Sequence, residues 1–218
     1  MAARGIFVTG TGTEVGKSVV AAVIAAEAAA EGLTVAVFKP AVSGLDEGGE
    51  ADHELLARAS GSDQSEDEIA PYRYGPPVSP HLAAEMAGEE IDTELLERVA
   101  EDAAEAADAI VCEGVGGLMV PLRPDYLVRN LAAELGHPVA IVAGSGLGTI
   151  NHTLLTIEAA WAAELEISAV VLNRWPAKPG RLEESNRETI AELTGIEVVT
   201  LGEVDLAEAD GWPRLGLL

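Results

Sequence analysis

Lysine is almost missing from this chain: its 218 residues include three, Lys17, Lys39 and Lys178, and Lys plus Arg total 13 against 37 Asp plus Glu. The formal charge at pH 7 is −24. Nucleic acids and anionic membrane surfaces would repel such a protein, because binding either needs a clustered cationic face. Cysteine is as scarce. A lone Cys112 excludes an intrachain disulfide, and its place in the apolar run Ala109 to Cys112 predicts an inert thiol in a buried strand. No apolar stretch approaches the roughly 20 residues that span a bilayer. The first residues lack the charged, apolar and small-residue sections of a signal peptide. The expectation is a soluble, cytoplasmic protein.

A chain this acidic repels itself across a Debye length of about 8 Å in physiological salt, which shrinks to about 3 Å at 1 M. Such an acid-rich, lysine-poor balance is that of salt-loving organisms, whose acidic surfaces need salt screening for full stability. Its Tm is expected to rise between low and molar KCl; a Tm that stays level or falls would contradict this reading.

What is present suffices for one α/β domain over residues 1–218, with 48% hydrophobic and 23% charged residues. Runs apolar at consecutive positions mark strands at Gly5–Thr9, Thr34–Phe38, Ala109–Cys112, Val139–Ala143, Ala169–Leu172 and Val198–Leu201. Helical patterns separate them, at about Lys17–Glu31, Ala51–Ser60, Pro80–Ala87, Thr93–Ala107, Leu127–Leu135, Thr149–Glu164 and Glu183–Leu193. Strands buried on both faces and joined by helical crossovers make a mostly parallel sheet with helices on both sides. Gly44–Gly49 and the proline-rich Ala70–Ser79 read as loops, and Asp205–Leu218 as an irregular cap. Ligands of such sheets bind beyond the carboxyl ends of the strands. Gly10, Lys39, Glu113, Gly144 and Asn173 follow the apolar runs and converge there.

The first strand leads into Gly10-Thr11-Gly12-Thr13-Glu14-Val15-Gly16-Lys17-Ser18 and then a helix. Such a loop cradles phosphates with backbone N–H groups, sets a lysine on the β- and γ-phosphates and offers a hydroxyl to Mg²⁺. The strict pattern G-x-x-x-x-G-K-S/T needs glycine where this chain has Thr11; its leading glycine is one residue earlier. The expected architecture is the three-layer fold of P-loop nucleotide hydrolases. Ser18, Asp52 and Glu113 are the candidate metal ligands, since Mg²⁺ takes oxygen ligands and few of them from protein. A carboxylate at a buried strand end needs a cation or donors, so Glu113 is either that ligand or half of a salt bridge. Asp52 is a ligand or an ordinary acid in a helix's first turn. Of the histidines, His53 and His137 read as surface residues, and no pair has the spacing of a zinc site. Trp161, mid-helix, reads as core or as a dimer contact.

Six segments, in order and at matching spacing, resemble the dethiobiotin synthetases: Thr9 to Ser18, Lys39-Pro40-Ala41-Val42-Ser43-Gly44, Ser79-Pro80-His81, Glu113-Gly114-Val115-Gly116-Gly117, Leu147-Gly148-Thr149-Ile150-Asn151-His152 and Leu201-Gly202-Glu203. The resemblance implies a homodimeric, ATP- and Mg²⁺-dependent ligase that closes a ureido ring on 7,8-diaminononanoate with CO₂. By the same resemblance Thr13, Glu14, Val15, Gly16, Lys17, Ser18 and Val19 hold ATP phosphates, with Lys17 on the γ-phosphoryl and Ser18, Asp52 and Glu113 on Mg²⁺. Gly114, Val115 and Gly116 border the nucleotide, Asn173 meets the adenine edge, and Val204, Asp205 and Leu206 cover the base. Lys39 and Ser43 meet the substrate carbamate and the γ-phosphate, making Lys17 and Lys39 the catalytic pair. Gly148, Thr149 and Asn151 clamp the substrate carboxylate, and Asn186 reaches across the subunit interface. The chain departs from the family at Ser18, where threonine is commoner, at Val115 in place of alanine, and at Asp205 in place of a frequent proline.

Two other readings stand beside this one. A related amidoligase synthetase of the cobyrinic acid diamide type would carry a glutaminase domain, for which 218 residues leave no room. A partitioning or Min-type ATPase switch would carry an extra lysine early in the phosphate loop, where Gly10, Thr11 and Gly12 stand.

Overall fold

A computed structural model describes residues 3–207 and 211–218. In chain order the elements are β1 (Arg4–Gly10), α1 (Lys17–Ala30), β2 (Val35–Phe38), β3 (Ala41–Val42), α2 (Asp52–Ser60), α3 (Glu66–Ile69), β4 (Tyr72–Arg73), α4 (Pro80–Ala87) and α5 (Thr93–Glu105). There follow β5 (Ala109–Gly117), β6 (Pro121–Arg123), β7 (Tyr126–Leu127), α6 (Val128–Leu135), β8 (Val139–Gly144), α7 (Thr149–Trp161), β9 (Ile167–Asn173), α8 (Arg181–Thr194) and β10 (Val198–Leu201).

Six strands form one sheet in the order β10, β9, β8, β1, β5, β2, and every neighbouring pair runs parallel. All six apolar runs of the sequence are in it. Why they read as continuous rather than alternating follows from the two cores. Ile6, Val8, Val111, Val142 and Val171 point to one face, beneath α1 and α2, while Phe7, Cys112, Ile141 and Leu172 point to the other, beneath α5, α6, α7 and α8. Each strand thus spends both of its side-chain rows on burial.

The alanines of α1 serve the same geometry. Ala21, Ala22, Ala25 and Ala28 are buried, letting the helix lie close to the sheet on one side and accept α2 on the other. The final segment covers this face: Leu215, Leu217 and Leu218 pack against the core, and the Glu27 carboxylate of α1 accepts from the backbone N–H of Leu215 at 2.7 Å. Adjacent strands β1 and β8 are followed by helices on opposite faces, α1 and α7. That divergence opens a crevice at their carboxyl ends, the ligand position of open parallel sheets.

Several expectations need correction. His53 is not a surface residue but 3% exposed. It shares the inward stripe of α2 with Leu56 and Ser60, and burial lowers its pKa. Trp161 ends α7 with 46% exposure, so it is no core residue of the single chain. The strand at Ala109 does not stop at Cys112 but runs through Glu113 to Gly117. The two loops contain short structure, a 3₁₀ turn at Leu45–Glu47 and β4, which pairs with β3. Among the described residues no helix is long and apolar enough to cross a membrane.

Candidate active site

The loop from Gly10 to Gly16 is held from both neighbours of β1. Thr11 N–H donates to Val142 O of β8 at 2.9 Å, and Gly10 lies opposite Gly117 of β5. Gly16 has φ +89°, and a Cβ there would fall 1.9 Å from Asn173 Nδ2. That amide donates to Val15 O at 3.0 Å. Only glycine lets the loop close against the end of β9, and Asn173 braces it from behind. Glu14, with φ +60°, also holds a left-handed conformation, a strain typical of ligand sites.

Gly16 caps α1 without a side-chain hydrogen bond, so the first N–H groups of the helix are free for an anion. Lys17 begins the helix, 7% exposed, and its ammonium donates to Gly12 O at 3.2 Å. Burial lowers its pKa, against the pull of Glu113.

The next residue opens an oxygen cluster. Ser18 Oγ lies 2.7 Å from Asp52 Oδ1 and 2.8 Å from Glu113 Oε1, although one hydroxyl proton can serve only one of them. Lys39 Nζ, entering from the end of β2, is 2.8 Å from Asp52 Oδ2 and 2.8 Å from Glu113 Oε1. Burial alone would lower the Lys39 pKa; the two carboxylates outweigh it and keep the ammonium charged. Asp52, whose side chain is 44% exposed, is held below the usual carboxylate range by Lys39 against partial desolvation. Glu113 is fully buried, and burial pushes its carboxyl up against the pull of Lys39. Its Oε2 has no hydrogen-bond partner. A buried acceptor left over beside a hydroxyl and a second carboxylate is an all-oxygen set that fits Mg²⁺.

These groups line one cavity of about 420 Å³, together with Thr13, Glu14, Gly16, Ser43, Val115 and Gly116. The structure therefore brings the loop, both lysines, Ser43 and the oxygen-bearing side chains of Ser18, Asp52 and Glu113 to one place. Three other residues expected near the nucleotide lie behind its wall: Val15 presents its carbonyl to Asn173, Val19 packs toward the α1 core, and Gly114 is buried beside Phe7. Val204, Asp205 and Leu206 follow β10 over the α1 face, where Arg58 donates to Leu206 O at 2.9 Å. At the start of α7, Gly148 has φ +94°, Thr149 is buried beside Thr153, and Asn151 is exposed; none of the three lines the phosphate cavity. Asn186 donates within its own chain, to Ser145 O at 2.9 Å and Gly146 O at 3.1 Å. Arg174 lines the cavity and was missed, since no motif contains it; the signal was an acid-free run, residues 174–181, in an acid-rich chain.

Comparison with known proteins agrees with this arrangement. A family model described as an AAA domain matches residues 4–213. The ATP-dependent dethiobiotin synthetase BioD of Rhodococcus erythropolis is 41% identical over 196 residues, covering 89% of this chain and 86% of the relative. The protein of the same name from Anaeromyxobacter dehalogenans is 42% identical over 198 residues, covering 91% and 89%. Among solved structures, the septum site-determining protein MinD of Pyrococcus horikoshii, complexed with Mg-ADP, has a TM-score of 0.58 at 15% identity, over 93% of this chain and 82% of that one. That likeness extends to the fold alone. A glycine-rich loop closed by Gly16, a hydroxyl and two carboxylates beside it, and such identity over about nine-tenths of this chain lead to one assignment: the chain belongs to the ATP-dependent dethiobiotin synthetase family.

Proposed function

We propose that one domain, residues 1–218, catalyses ATP-dependent formation of dethiobiotin from 7,8-diaminononanoate and CO₂, working in the cytoplasm. The observation that carries this reading is the convergence of two buried lysines, Lys17 and Lys39, with Ser18, Asp52 and Glu113 in a single cavity. One amine of the diamine takes up CO₂ as a carbamate. A carbamate oxygen then attacks the γ-phosphorus, ADP leaves, and a carbamic-phosphoric anhydride remains. The second amine attacks its carbonyl carbon and expels phosphate, closing the ring.

The middle step brings two anions together, so the residues around it act mainly by neutralising charge and aligning the reactants. Lys17 is set to meet the γ-phosphoryl from the helix end of the loop. Lys39 and Ser43, beyond β2, face the same cavity and serve the carbamate. Mg²⁺ held by Ser18, Asp52 and Glu113 would offset charge on the β- and γ-phosphates. On this reading Thr13 to Val19 bind the triphosphate, Gly114 to Gly116 flank it, and Val204 to Leu206 border the base. Asn173 meets the base through the part of its amide that does not brace the loop. The start of α7, Gly148, Thr149 and Asn151, offers N–H groups to the substrate carboxylate. Exposed Leu147, Leu155 and Trp161, before and along α7, support a homodimer built on that helix.

The test is isotopic. With ¹³C-bicarbonate, diamine and Mg-ATP, the product should gain one labelled carbon in the ureido carbonyl, read by mass. ADP release with no labelled product would contradict the proposal.

A further inference from the structure

Arg174 has a combination of features that the reaction described so far does not use. It follows β9 directly and lines the nucleotide cavity beside Gly16, Lys17 and Ser18. Its backbone is left-handed, φ +54°, a conformation in which glycine would be at ease and arginine is strained. The strain is imposed from both sides. Asn173 is tied to Val15 O, the Trp175 N–H donates to Leu201 O at 2.8 Å, and the Arg174 carbonyl itself accepts from Ser145 Oγ at 3.4 Å. No carboxylate of the described residues lies within 4.0 Å of its guanidinium, although the chain has 37 acids. It also starts the stretch Arg174 to Arg181, in which Lys178 and Arg181 are likewise exposed and no acid occurs.

We propose that Arg174 is a third cation for the nucleotide's β- and γ-phosphates. A guanidinium suits this task, since its planar fork pairs with phosphate oxygens and keeps its charge at every working pH. Glycine would fit the backbone better, so the side chain accounts for arginine at this position.

This inference rests on the ATP reading of the cavity and fails separately from it. Calorimetric titration with ATP, ADP and AMP, in Mg²⁺, compares the wild type with Arg174→Gly, a variant suited to the left-handed backbone and therefore expected to fold with no loss of Tm. Kd for ATP and ADP should weaken about tenfold, the size expected for one charge-assisted contact, with little change for AMP. Arg174→Lys should recover part of the loss. Unchanged affinities for ATP and ADP in Arg174→Gly would overturn the role of Arg174 and leave the ATP reading standing. Equal weakening for AMP would place the contact on the nucleoside or its α-phosphate, not on the β- and γ-phosphates, and overturn it too. A wild type that binds no ATP would overturn both.

Discussion

Lys17→Ala should lower dethiobiotin formation by roughly 10²–10³-fold, the usual cost of one charge-stabilising contact to a transition state, and leave Tm nearly unchanged. The two effects separate because of how Lys17 is held. Its ammonium touches a backbone carbonyl, Gly12 O, and has no carboxylate within salt-bridge distance. Removing it leaves no buried charge without a partner, so the folded state loses little. The phosphoryl group passing from ATP to the carbamate loses the cation that meets it. A variant with normal turnover would remove Lys17 from the reaction, and one that melts well below the wild type would show that the lysine braces the loop.

Lys39 should behave in the opposite way on stability. It is 2% exposed and compensates both Asp52 and Glu113 at 2.8 Å. Lys39→Met keeps the volume and removes the charge, leaving Glu113 buried without its cation. Breaking such a buried pair typically destabilises by roughly 3–5 kcal/mol, which chemical denaturation without nucleotide should show alongside a loss of turnover of about 10²-fold or more. Adding Glu113→Gln removes the uncompensated charge. The double variant should recover most of the stability and none of the activity, a coupling read by the mutant cycle. Full stability in Lys39→Met, or activity returning with Glu113→Gln, would contradict the roles given to both residues.

How much of this was visible in the sequence depends on the kind of signal each part leaves. The six strands of the main sheet were legible because burial on both faces makes every position apolar, and the glycine-rich loop because a phosphate cradle needs a fixed order of residue types. Lys39 and Asp52 were legible as polar residues where a strand ends or a helix begins, and Glu113 as the carboxylate that closes an apolar run, although β5 continues past it. The paired strands β3 and β4, and β6 and β7, are two or three residues long, too short for any period to register. The four-residue helix α3 escaped for the same reason. The third apolar run was expected to end at Cys112, yet Gly114 to Gly117 continue β5, where Gly117 lies opposite Gly10 and a Cβ would sit 3.0 Å from Gly10 O. His53 was misread although its spacing to Leu56 and Ser60 marks the inward stripe of α2; a polar residue type hid a geometric position. Asn186 has an intrachain role that carries no motif. Its amide stitches the Ser145–Gly146 turn to α8, a use that only the fold of the chain reveals. Arg174 carries no motif at all, and its signal lies in what surrounds it, eight residues without an acid.

The most direct test of the central claim is the coupling of ATP cleavage to the diamine. In molar KCl with Mg²⁺, bicarbonate and ATP, ADP should form only when 7,8-diaminononanoate is added, one ADP for each dethiobiotin, and both should vanish in Lys17→Ala. ADP forming at the same rate without the diamine, and with no dethiobiotin, would contradict the account and make the protein a nucleotide-hydrolysing switch.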